Sequence, residues 1–290
     1  MINVHDVSFS YGKETILNNV HYVETEPAIV GLWGRNGSGK TTLMKLLAGL
    51  LQPHSGSLHV NKQIPYNNNK AMNDVAFLQE SHPYSDIWTV NDAMHFASLF
   101  NDNWDQQLAD QLLERFELPR RKKVRSFSTG MKSMLTIVIG LSSKSPVTIM
   151  DEPTNGLDAH MRKVFFDMLI ETHTEHPRQI MLSTHHIDEI LPLCEKIVVL
   201  HDRTIIRNEP VEDLDQKGVY VTGNANDIES FSSGSTVLER KSLGKQQQVM
   251  LDALWSEQLQ QEAKKAGLRV EKAALQDYLV NLTTKGVTKV

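Results

Sequence analysis

The sequence has 290 residues, enough for one large domain with an appendage or for two ordinary domains. Charged residues make up 22% of it, with 30 Lys and Arg against 35 Asp and Glu, so no polybasic surface for nucleic acid or anionic lipid is indicated. The single cysteine, Cys194, excludes an internal disulfide and suits a reducing compartment. We expect a cytosolic chain, because the N-terminus lacks the features of a secretory signal and no apolar run approaches the roughly 18 residues that span a bilayer.

The first third of the chain is predicted to contain short strands and one glycine-rich loop. The segments INVHDVSFSY, ILNNVHYVE and AIVGLW predict three strands before Gly34. A helix is predicted after the loop, to about Leu51, and strands follow in SGSLHVNK and DVAFLQ. The intervening segment from Pro65 to Asp74 is rich in asparagine and is interpreted as a polar loop.

The middle of the chain is predicted to be helical and then to alternate between strand and helix. From Val90 to about Leu141 apolar residues recur three and four apart, with a break at Pro119. The continuous apolar run in SPVTIMDEP predicts a buried strand of a parallel sheet. The helical segment AHMRKVFFDMLIETH and the strands QIMLST and KIVVLHD follow. This order predicts a mixed α/β domain with a helical insertion.

Beyond about Glu212 the character of the sequence changes, and the remaining residues predict a small α+β unit. Two segments there, EQLQQEAKKAGL and LQDYLVNLT, each predict an amphipathic helix. Such an appendage can bind a regulator, mediate dimerisation or extend the preceding domain as a structural element. We adopt the structural interpretation and leave the other two open.

The stretch GRNGSGKTT fits a phosphate-binding loop. Gly34, Gly39, Lys40 and Thr41 match the spacing G-x-x-x-x-G-K-[ST], between a predicted strand and a predicted helix. Glycines let the backbone amides approach a phosphate, the lysine bridges the β- and γ-phosphates, and the threonine hydroxyl ligates Mg²⁺. The other loop residues predicted to contact nucleotide are Asn36, Gly37, Ser38 and Thr42.

A second group of residues points to hydrolysis. The apolar strand in VTIMDEP delivers Asp151 to its carboxyl end, where a carboxylate can hold Mg²⁺, and Glu152 follows directly. Adjacent residues point to opposite sides, so Glu152 can polarise an attacking water as a general base. A solvated turn is the alternative interpretation of these two carboxylates.

Six motifs in this order resemble the ATP-binding subunit of an ABC transporter: SYG, GRNGSGKT, FLQE, FSTGM, VTIMDEPTNGLD and LSTHHIDE. The resemblance covers roughly residues 1–210. It implies a P-loop NTPase (RecA-like) fold, in which a parallel-sheet core carries an antiparallel β edge and a helical insertion. We therefore expect an ATP-binding domain over 1–211, with its helical insertion at about 83–143, and an accessory α+β domain over 212–290.

The resemblance also implies roles for four further residues. Tyr11 would stack on adenine, Gln79 would contact Mg²⁺ and the attacking water, and Asp158 would belong to the D-loop. His185 would contact the γ-phosphate, because it lies four residues before Glu189 and matches the family's H-x-x-x-E pattern, unlike the adjacent histidine. Taken singly, an aromatic in a strand or a polar residue at a strand end is more often structural.

The segment SFSTGM stands where the family carries L-S-G-G-Q. Ser128 and Gly130 match that signature, whereas Thr129 and Met131 depart from it. In the family this segment contacts the γ-phosphate bound to the opposite subunit, so that two ATP molecules lie between two chains. The resemblance therefore implies a homodimer or heterodimer of ATPase subunits. A serine that only caps the following helix is the alternative.

The resemblance finally implies a function and a partner. The chain would bind ATP and Mg²⁺ and drive transport through a separate polytopic membrane subunit, as a peripheral protein on the cytoplasmic face of the membrane. A single ATPase domain, the lack of a membrane span and this form of the signature segment resemble subunits of bacterial exporters of antimicrobial peptides or drugs. The membrane subunit would dock near Pro83, Tyr84 and Trp88, unless these side chains pack inside the insertion.

Two rival functions remain at this stage. One is a soluble ABC-type ATPase acting on nucleic acid or the ribosome, although no nucleic-acid partner is expected, since the chain has one phosphate loop and lacks a long coiled-coil insertion. The other is a nucleotide switch without hydrolysis, which Glu152 makes less attractive.

Overall fold

The computed structural model describes residues 1–79, 87–244, 246–284 and 288–289. They form two compact units. The first comprises Met1–His185 and Glu189–Asn208, and the second comprises His186–Asp188 and the described residues from Glu209 onwards.

The helices and strands follow one another as the alternating pattern predicts. Up to Pro210 they are β1 (Ile2–Tyr11), β2 (Glu14–Glu24), β3 (Ile29–Trp33), α1 (Lys40–Leu47), β4 (Ser55–Val60), α2 (Asn69–Asn73), β5 (Val75–Leu78), α3 (Val90–Leu99), α4 (Gln106–Arg115), α5 (Thr129–Ser142), β6 (Val147–Met150), α6 (Ala159–Glu175), β7 (Gln179–Thr184), α7 (Ile187–Ile190), β8 (Lys196–His201) and β9 (Thr204–Pro210). After it they are α8 (Val211–Asp215), β10 (Lys217–Gly223), α9 (Ala225–Ser232), β11 (Thr236–Leu243), β12 (Gln246–Leu254), α10 (Glu257–Lys265), β13 (Arg269–Lys272), α11 (Leu275–Leu282) and β14 (Thr288–Lys289).

Two sheets build the first unit. One is antiparallel, with strand order β2-β1-β4, and buried and exposed positions alternate along β1 because only one of its faces meets the core. The other has the order β5-β6-β7-β3-β8-β9, and its neighbours from β5 to β8 pair in parallel. Every residue of β3, β6 and β7 is buried, as continuous apolar strands covered on both faces require. The predicted parallel sheet is confirmed.

Helix α1 lies in the core between these sheets. Its Leu43, Met44, Leu46 and Leu47 are fully buried. They belong to one hydrophobic cluster with side chains from both sheets, among them Val4, Leu17, Leu32, Ile149 and Met181. Because α1 begins directly after the glycine-rich loop, this packing fixes where the loop can lie.

The segment predicted to be helical from Val90 to Leu141 contains α3, α4 and α5, each with a capping residue before it. Thr89 and Asp92 form a reciprocal capping box at α3, Asp105 caps α4, and Ser128 caps α5. Among the helices that the structure describes, none is both long and apolar enough to cross a bilayer.

One prediction for the first unit is wrong. The segment from Pro65 to Asp74, interpreted as a polar loop, contains the short helix α2. Asn68 accounts for it, because its side chain accepts a hydrogen bond of 3.3 Å from the Ala71 N–H and so satisfies one of the free amides of the first turn.

The second unit contains an antiparallel sheet with strand order β13-β10-β12-β11-β14. Side chains of β10 and β12 form a separate hydrophobic cluster with Ile228 of α9 and Ala263 of α10. Helix α11 is tied to this sheet by Tyr278, which is fully buried and whose hydroxyl donates a 2.7 Å hydrogen bond to Asp252.

Candidate functional site

The loop between β3 and α1 depends on its glycines. Gly37 and Gly39 have φ angles of 79° and 106°, in the left-handed region that glycine adopts without strain. Gly39 directly precedes α1, and no side chain caps that helix. The first amides of the eight-residue helix are therefore left for an external acceptor, and the helix dipole favours an anion there.

This loop forms one wall of a cleft of about 450 Å³. The cleft is lined by ten of the residues singled out in the sequence, together with Ile16 and Asn155: Asn36, Gly37, Ser38, Gly39, Lys40, Thr41, Thr42, Asp151, Glu152 and His185. The fold thus brings the phosphate loop, the acidic pair and the histidine to one place, although they are far apart in the chain.

Asp151 follows β6 directly and is held from two sides. Its Oδ2 accepts a 2.7 Å hydrogen bond from Thr41 Oγ1, and its Oδ1 accepts one of 2.6 Å from Ser183 Oγ. Among the described residues no group of three or more His, Cys, Asp or Glu could hold a metal ion. Mg²⁺ in phosphate sites takes only one or two protein oxygens and completes its shell with phosphate and water. The hydroxyl of Thr41 and the carboxylate of Asp151 fit that requirement.

Glu152 lies among the charged side chains of the cleft. Its φ angle is 49°, and its N–H donates a 2.9 Å hydrogen bond to Ser183 Oγ. Its carboxylate lies 3.5 Å from Lys40 Nζ and 3.0 Å from His185 Nδ1. Lys40 is only 6% exposed and also donates a 2.7 Å hydrogen bond to the Gly34 carbonyl. A carboxylate fixed in this position can accept a proton from a water molecule in the cleft.

Six residues singled out in the sequence do not line the cleft: Tyr11, Gly34, Gln79, Ser128, Gly130 and Asp158. Tyr11 is 48% exposed at the end of β1, where its ring meets Phe9 edge-on. Gln79 lines a separate cavity of about 20 Å³ that also touches Asp151 and Glu152. Its side chain is thus close to the acidic pair but outside the main cleft.

The signature segment is packed against the loop that follows Glu152. Ser128 Oγ accepts a 3.2 Å hydrogen bond from the Met131 N–H and so caps α5. A Cβ on Gly130 would lie 2.5 Å from the Gly156 carbonyl oxygen, so only glycine fits without displacement. Asp158 likewise caps α6, through a 2.8 Å hydrogen bond from the Met161 N–H.

Three residues of the site were missed in the sequence: Ser183, Asn155 and Ile16. Ser183 is the most informative, because it contacts both acidic residues from the end of β7. A usable signal existed, since both segments were predicted as strands of an α/β domain with a parallel sheet, and the carboxyl ends of parallel strands meet at one edge. Asn155 stands inside the quoted motif but was given no role.

An exposed apolar surface lies on the helical insertion, and we call it the aromatic edge. It consists of Ile87, Trp88, Phe96, Leu99 and Phe100. The rings of Trp88 and Phe96, and those of Phe96 and Phe100, have centroids 4.8 Å apart. Ile87 is 70% exposed, Leu99 65% and Phe100 62%. Pro83 and Tyr84, which were predicted to belong to this surface, lie outside the described residues.

Known proteins resemble this chain in sequence and in fold. The family model for ABC transporters matches residues 17–155. The uncharacterized ABC transporter ATP-binding protein YdbJ of Bacillus subtilis is 31% identical over 222 residues, which cover 74% of this chain and 71% of that protein. A solved structure described as the ATP binding subunit of an ABC transporter is 26% identical, with a TM-score of 0.68 over 74% of this chain and 91% of that chain. A dimeric post-hydrolysis structure of the ATP-binding cassette MJ0796, bound to ADP and Pi, is 20% identical, with a TM-score of 0.64 over 73% and 99% of the two chains.

These likenesses agree with the fold. The expected mixed α/β fold with a parallel-sheet core is confirmed by the solved structures. The expected family is confirmed by the family model and by the relative from Bacillus subtilis. The chain therefore belongs to the ABC transporter family, as an ATP-binding subunit that hydrolyses ATP.

Proposed function

We propose that this ATPase is the motor of a membrane transporter, in which two copies, or this chain and a related one, close around two Mg·ATP. The observation that carries the proposal is the meeting of Lys40, Asp151, Glu152 and His185 in one cleft beside the phosphate loop. A cleft that held nucleotide only as a switch would not need a carboxylate at the position of Glu152.

The loop residues bind the phosphates in this proposal. The amides of the loop and of the first turn of α1 contact the β- and γ-phosphates, and Lys40 supplies positive charge where the phosphates carry most of theirs. Thr41 and Asp151 would hold Mg²⁺, which would neutralise charge on the phosphates, and Gln79, which shares a small cavity with Asp151, would assist them. The exposed ring of Tyr11 is free to stack on adenine.

Glu152 is the general base. Its carboxylate is held by the 3.0 Å contact with His185, and its backbone is held by the hydrogen bond from the Glu152 N–H to Ser183. The side chain therefore points into the cleft without a large entropy cost. His185, which lies beside this carboxylate, contacts the γ-phosphate in this proposal. General-base help of this kind contributes about 10²–10⁴ to the rate.

The signature segment acts on the nucleotide of the second subunit. Ser128 and Gly130 stand at the beginning of α5, and neither lines the cleft of its own chain. The dimer of the MJ0796 cassette with ADP and Pi supports this arrangement by its fold. Asp158 follows the loop that Gly130 touches and belongs to the same interface.

A polytopic membrane subunit couples this cycle to transport, with the ATPase on the cytoplasmic face. The aromatic edge suits such a partner, because exposed aromatic clusters are common anchors of protein interfaces. We propose export of peptides or drug-like molecules, on the resemblance of the signature segment to exporter subunits. We further propose 1–211 as the ATPase domain and 212–290 as an accessory domain.

Replacing Glu152 tests the mechanism. Glu152→Gln keeps the volume but removes the base, so ATP binding should be retained, kcat should fall by about 10²–10⁴, and a dimer should accumulate with ATP. Glu175→Gln, at the exposed end of α6, is the matched control. If Glu152→Gln hydrolyses ATP at the rate of the control, the assignment of the base is wrong.

Co-purification tests the partner. The full chain is used as bait in detergent-solubilised native membranes, and the ATPase rate of the captured complex is measured. A stoichiometric multi-span protein that changes this rate supports the transporter. An active enzyme that brings down ribosomes or nucleic acid instead favours the soluble rival.

A further inference from the structure

A β-bulge interrupts the antiparallel sheet of the first unit. The register of β1 against β2 shifts between Val4 and Val7. His5 and Asp6, the two residues in between, therefore oppose the single residue His21 of β2. The bulge lets Val4 and Val7, which are three positions apart, both reach the core, where they are fully buried. His5 is left half-buried beside the exposed Asp6 and His21, on the outer face of the sheet.

The backbone of the bulge is held in an unusual conformation. Asp6 has a φ angle of 52°, in the left-handed region that aspartate tolerates better than most residues but that favours glycine. The strand on the other side is fitted around it, because a Cβ on Gly56 of β4 would collide with the carbonyl oxygens of His5 and Asp6. The side chains of His5 and Asp6 therefore project from a fixed position between two strands.

Two imidazole nitrogens converge at this bulge. His5 Nδ1 and His21 Nε2 lie 2.9 Å apart, and the two rings meet at 74° with their centroids 4.6 Å apart. The other nitrogen of His21, Nδ1, lies 3.5 Å from Asp6 Oδ1. A carboxylate at that place favours a proton on Nδ1, which leaves a lone pair on Nε2. Histidine ligands of metal ions are oriented by carboxylates in this same way.

We propose that His5 and His21 form a two-histidine site for a divalent transition-metal ion of tetragonal geometry, Cu²⁺ or Ni²⁺, with Asp6 as the positioning residue of His21. Two nitrogens about 2.0–2.1 Å from one ion lie about 2.9 Å apart when they subtend 90°, and about 3.3 Å apart at the tetrahedral angle of Zn²⁺. The 2.9 Å between His5 Nδ1 and His21 Nε2 matches the tetragonal value.

Water completes the coordination of the ion. Among the described residues no group of three or more His, Cys, Asp or Glu could hold a metal ion, so the protein supplies only the two imidazoles. Without metal, one proton lies between the two nitrogens, because a hydrogen bond joins them. The ion takes the place of that proton, and His5 then carries its proton on Nε2. The side chain of His21 is 58% exposed, so the ion enters and leaves directly from solvent.

The test uses Cu²⁺ as the probe, at one equivalent of the full chain and without nucleotide. Electron paramagnetic resonance measures how many nitrogens ligate the ion, and competition with a chelator measures Kd. His5→Gln and His21→Gln each remove one ligand and keep a polar side chain on the outer face. His95→Gln is the matched control, because His95 is an exposed histidine on α3, outside this sheet. The stoichiometry of ATP binding measures the folded fraction of each variant.

We expect coupling to two nitrogens in the native chain and in His95→Gln. In His5→Gln and His21→Gln the Kd for Cu²⁺ should rise about a hundredfold, because chelation by the second imidazole is lost. Asp6→Asn should raise Kd about tenfold, while the coupling to two nitrogens remains, which a collapse of the bulge would abolish. Asparagine is the conservative choice there, since it also adopts a positive φ. Ni²⁺ should bind more tightly than Zn²⁺.

Several results would overturn the site. Native affinity in His5→Gln or in His21→Gln, or a native spectrum without coupling to two nitrogens, means that these imidazoles do not chelate the ion. An equal loss of affinity in His95→Gln means that Cu²⁺ binds to surface histidines in general. Tighter binding of Zn²⁺ than of Ni²⁺ contradicts the tetragonal geometry, and native affinity in Asp6→Asn contradicts the role of Asp6.

Discussion

Gly130→Ala is a substitution for which two physical effects predict opposite changes in the free energy of unfolding. Gly130 lies in the first turn of α5 with an ordinary negative φ, so helix propensity alone favours alanine by about 1 kcal/mol. The added Cβ, however, would lie 2.5 Å from the Gly156 carbonyl oxygen, where real contacts are longer than 3.0 Å. Overpacking of this kind costs about 1–3 kcal/mol, so we expect a net loss of about 0–2 kcal/mol in the free energy of unfolding.

The catalytic effect should exceed the effect on stability. The obstacle is backbone, so the loop at Gly156 must move, and the preceding Asn155 lines the cleft. We expect a melting temperature lower by up to about 8 °C, from 2–4 °C per kcal/mol for a domain of this size. ATP turnover should fall about tenfold or more, since misplacement by less than 1 Å is enough for that.

Calorimetry and steady-state ATPase assays on the same preparations measure both quantities. Gly140→Ala is the control, because Gly140 lies in the same helix and its Cβ would also meet an obstacle at 2.5 Å, but that obstacle is a methyl group of the Leu78 side chain. Should Gly130→Ala raise the melting temperature, as propensity alone requires, and keep the native rate, the close approach does not constrain this position and the reasoning is refuted.

Two further predictions concern buried cations. Lys40→Ala removes the cation of the phosphate loop and should weaken ATP binding by about ten- to a hundredfold, as expected for a lost charge-assisted hydrogen bond; unchanged affinity for a fluorescent ATP analogue would refute the phosphate-loop assignment. Arg178 is 5% exposed, and burial lowers its pKa from the ordinary value to about 10, which corresponds to a cost of about 3 kcal/mol for the folded state at every pH below 10. Because the folded pKa is the lower one, stability should rise as the pH increases above 10. Arg178→Met should raise the free energy of unfolding in urea at pH 7.5 by up to about 3 kcal/mol, whereas a clear loss of stability would contradict the reasoning.

Local patterns were sufficient for the phosphate loop and for the buried strands. The residues Gly34 to Thr42 form their loop within one short segment, and the apolar runs of β3 and β6, bounded by glycine or proline, are typical of central strands in a covered sheet. Contacts between segments that are distant in the chain could not be predicted from such local patterns. Ser183 reaches Asp151 across 32 residues, and although it stands inside the quoted motif LSTHHIDE, nothing in that motif shows that its hydroxyl contacts the carboxylate.

The function of the signature segment illustrates a different limit. The sequence left open whether Ser128 binds an anion or caps a helix, and its side chain does cap α5 within this chain. Both uses need the same exposed amides at the beginning of a helix, so residue type alone cannot separate them. The reason for glycine at position 130 lies in a carbonyl 26 positions away, which no local pattern contains.

The order of strands in the central sheet has a consequence for synthesis on the ribosome. Strand β3 consists of five consecutive buried residues, and its two neighbours, β7 and β8, begin about 150 or more residues later in the chain. At about 5–20 residues per second, the ribosome needs about 8–30 s to supply them. The β1–β2 hairpin can pair during that interval, because its strands are adjacent. The nascent chain therefore carries an unpaired apolar strand at Ile29–Trp33 until β7 and β8 have been synthesised, and a chaperone that binds unfolded apolar segments would find a binding segment there.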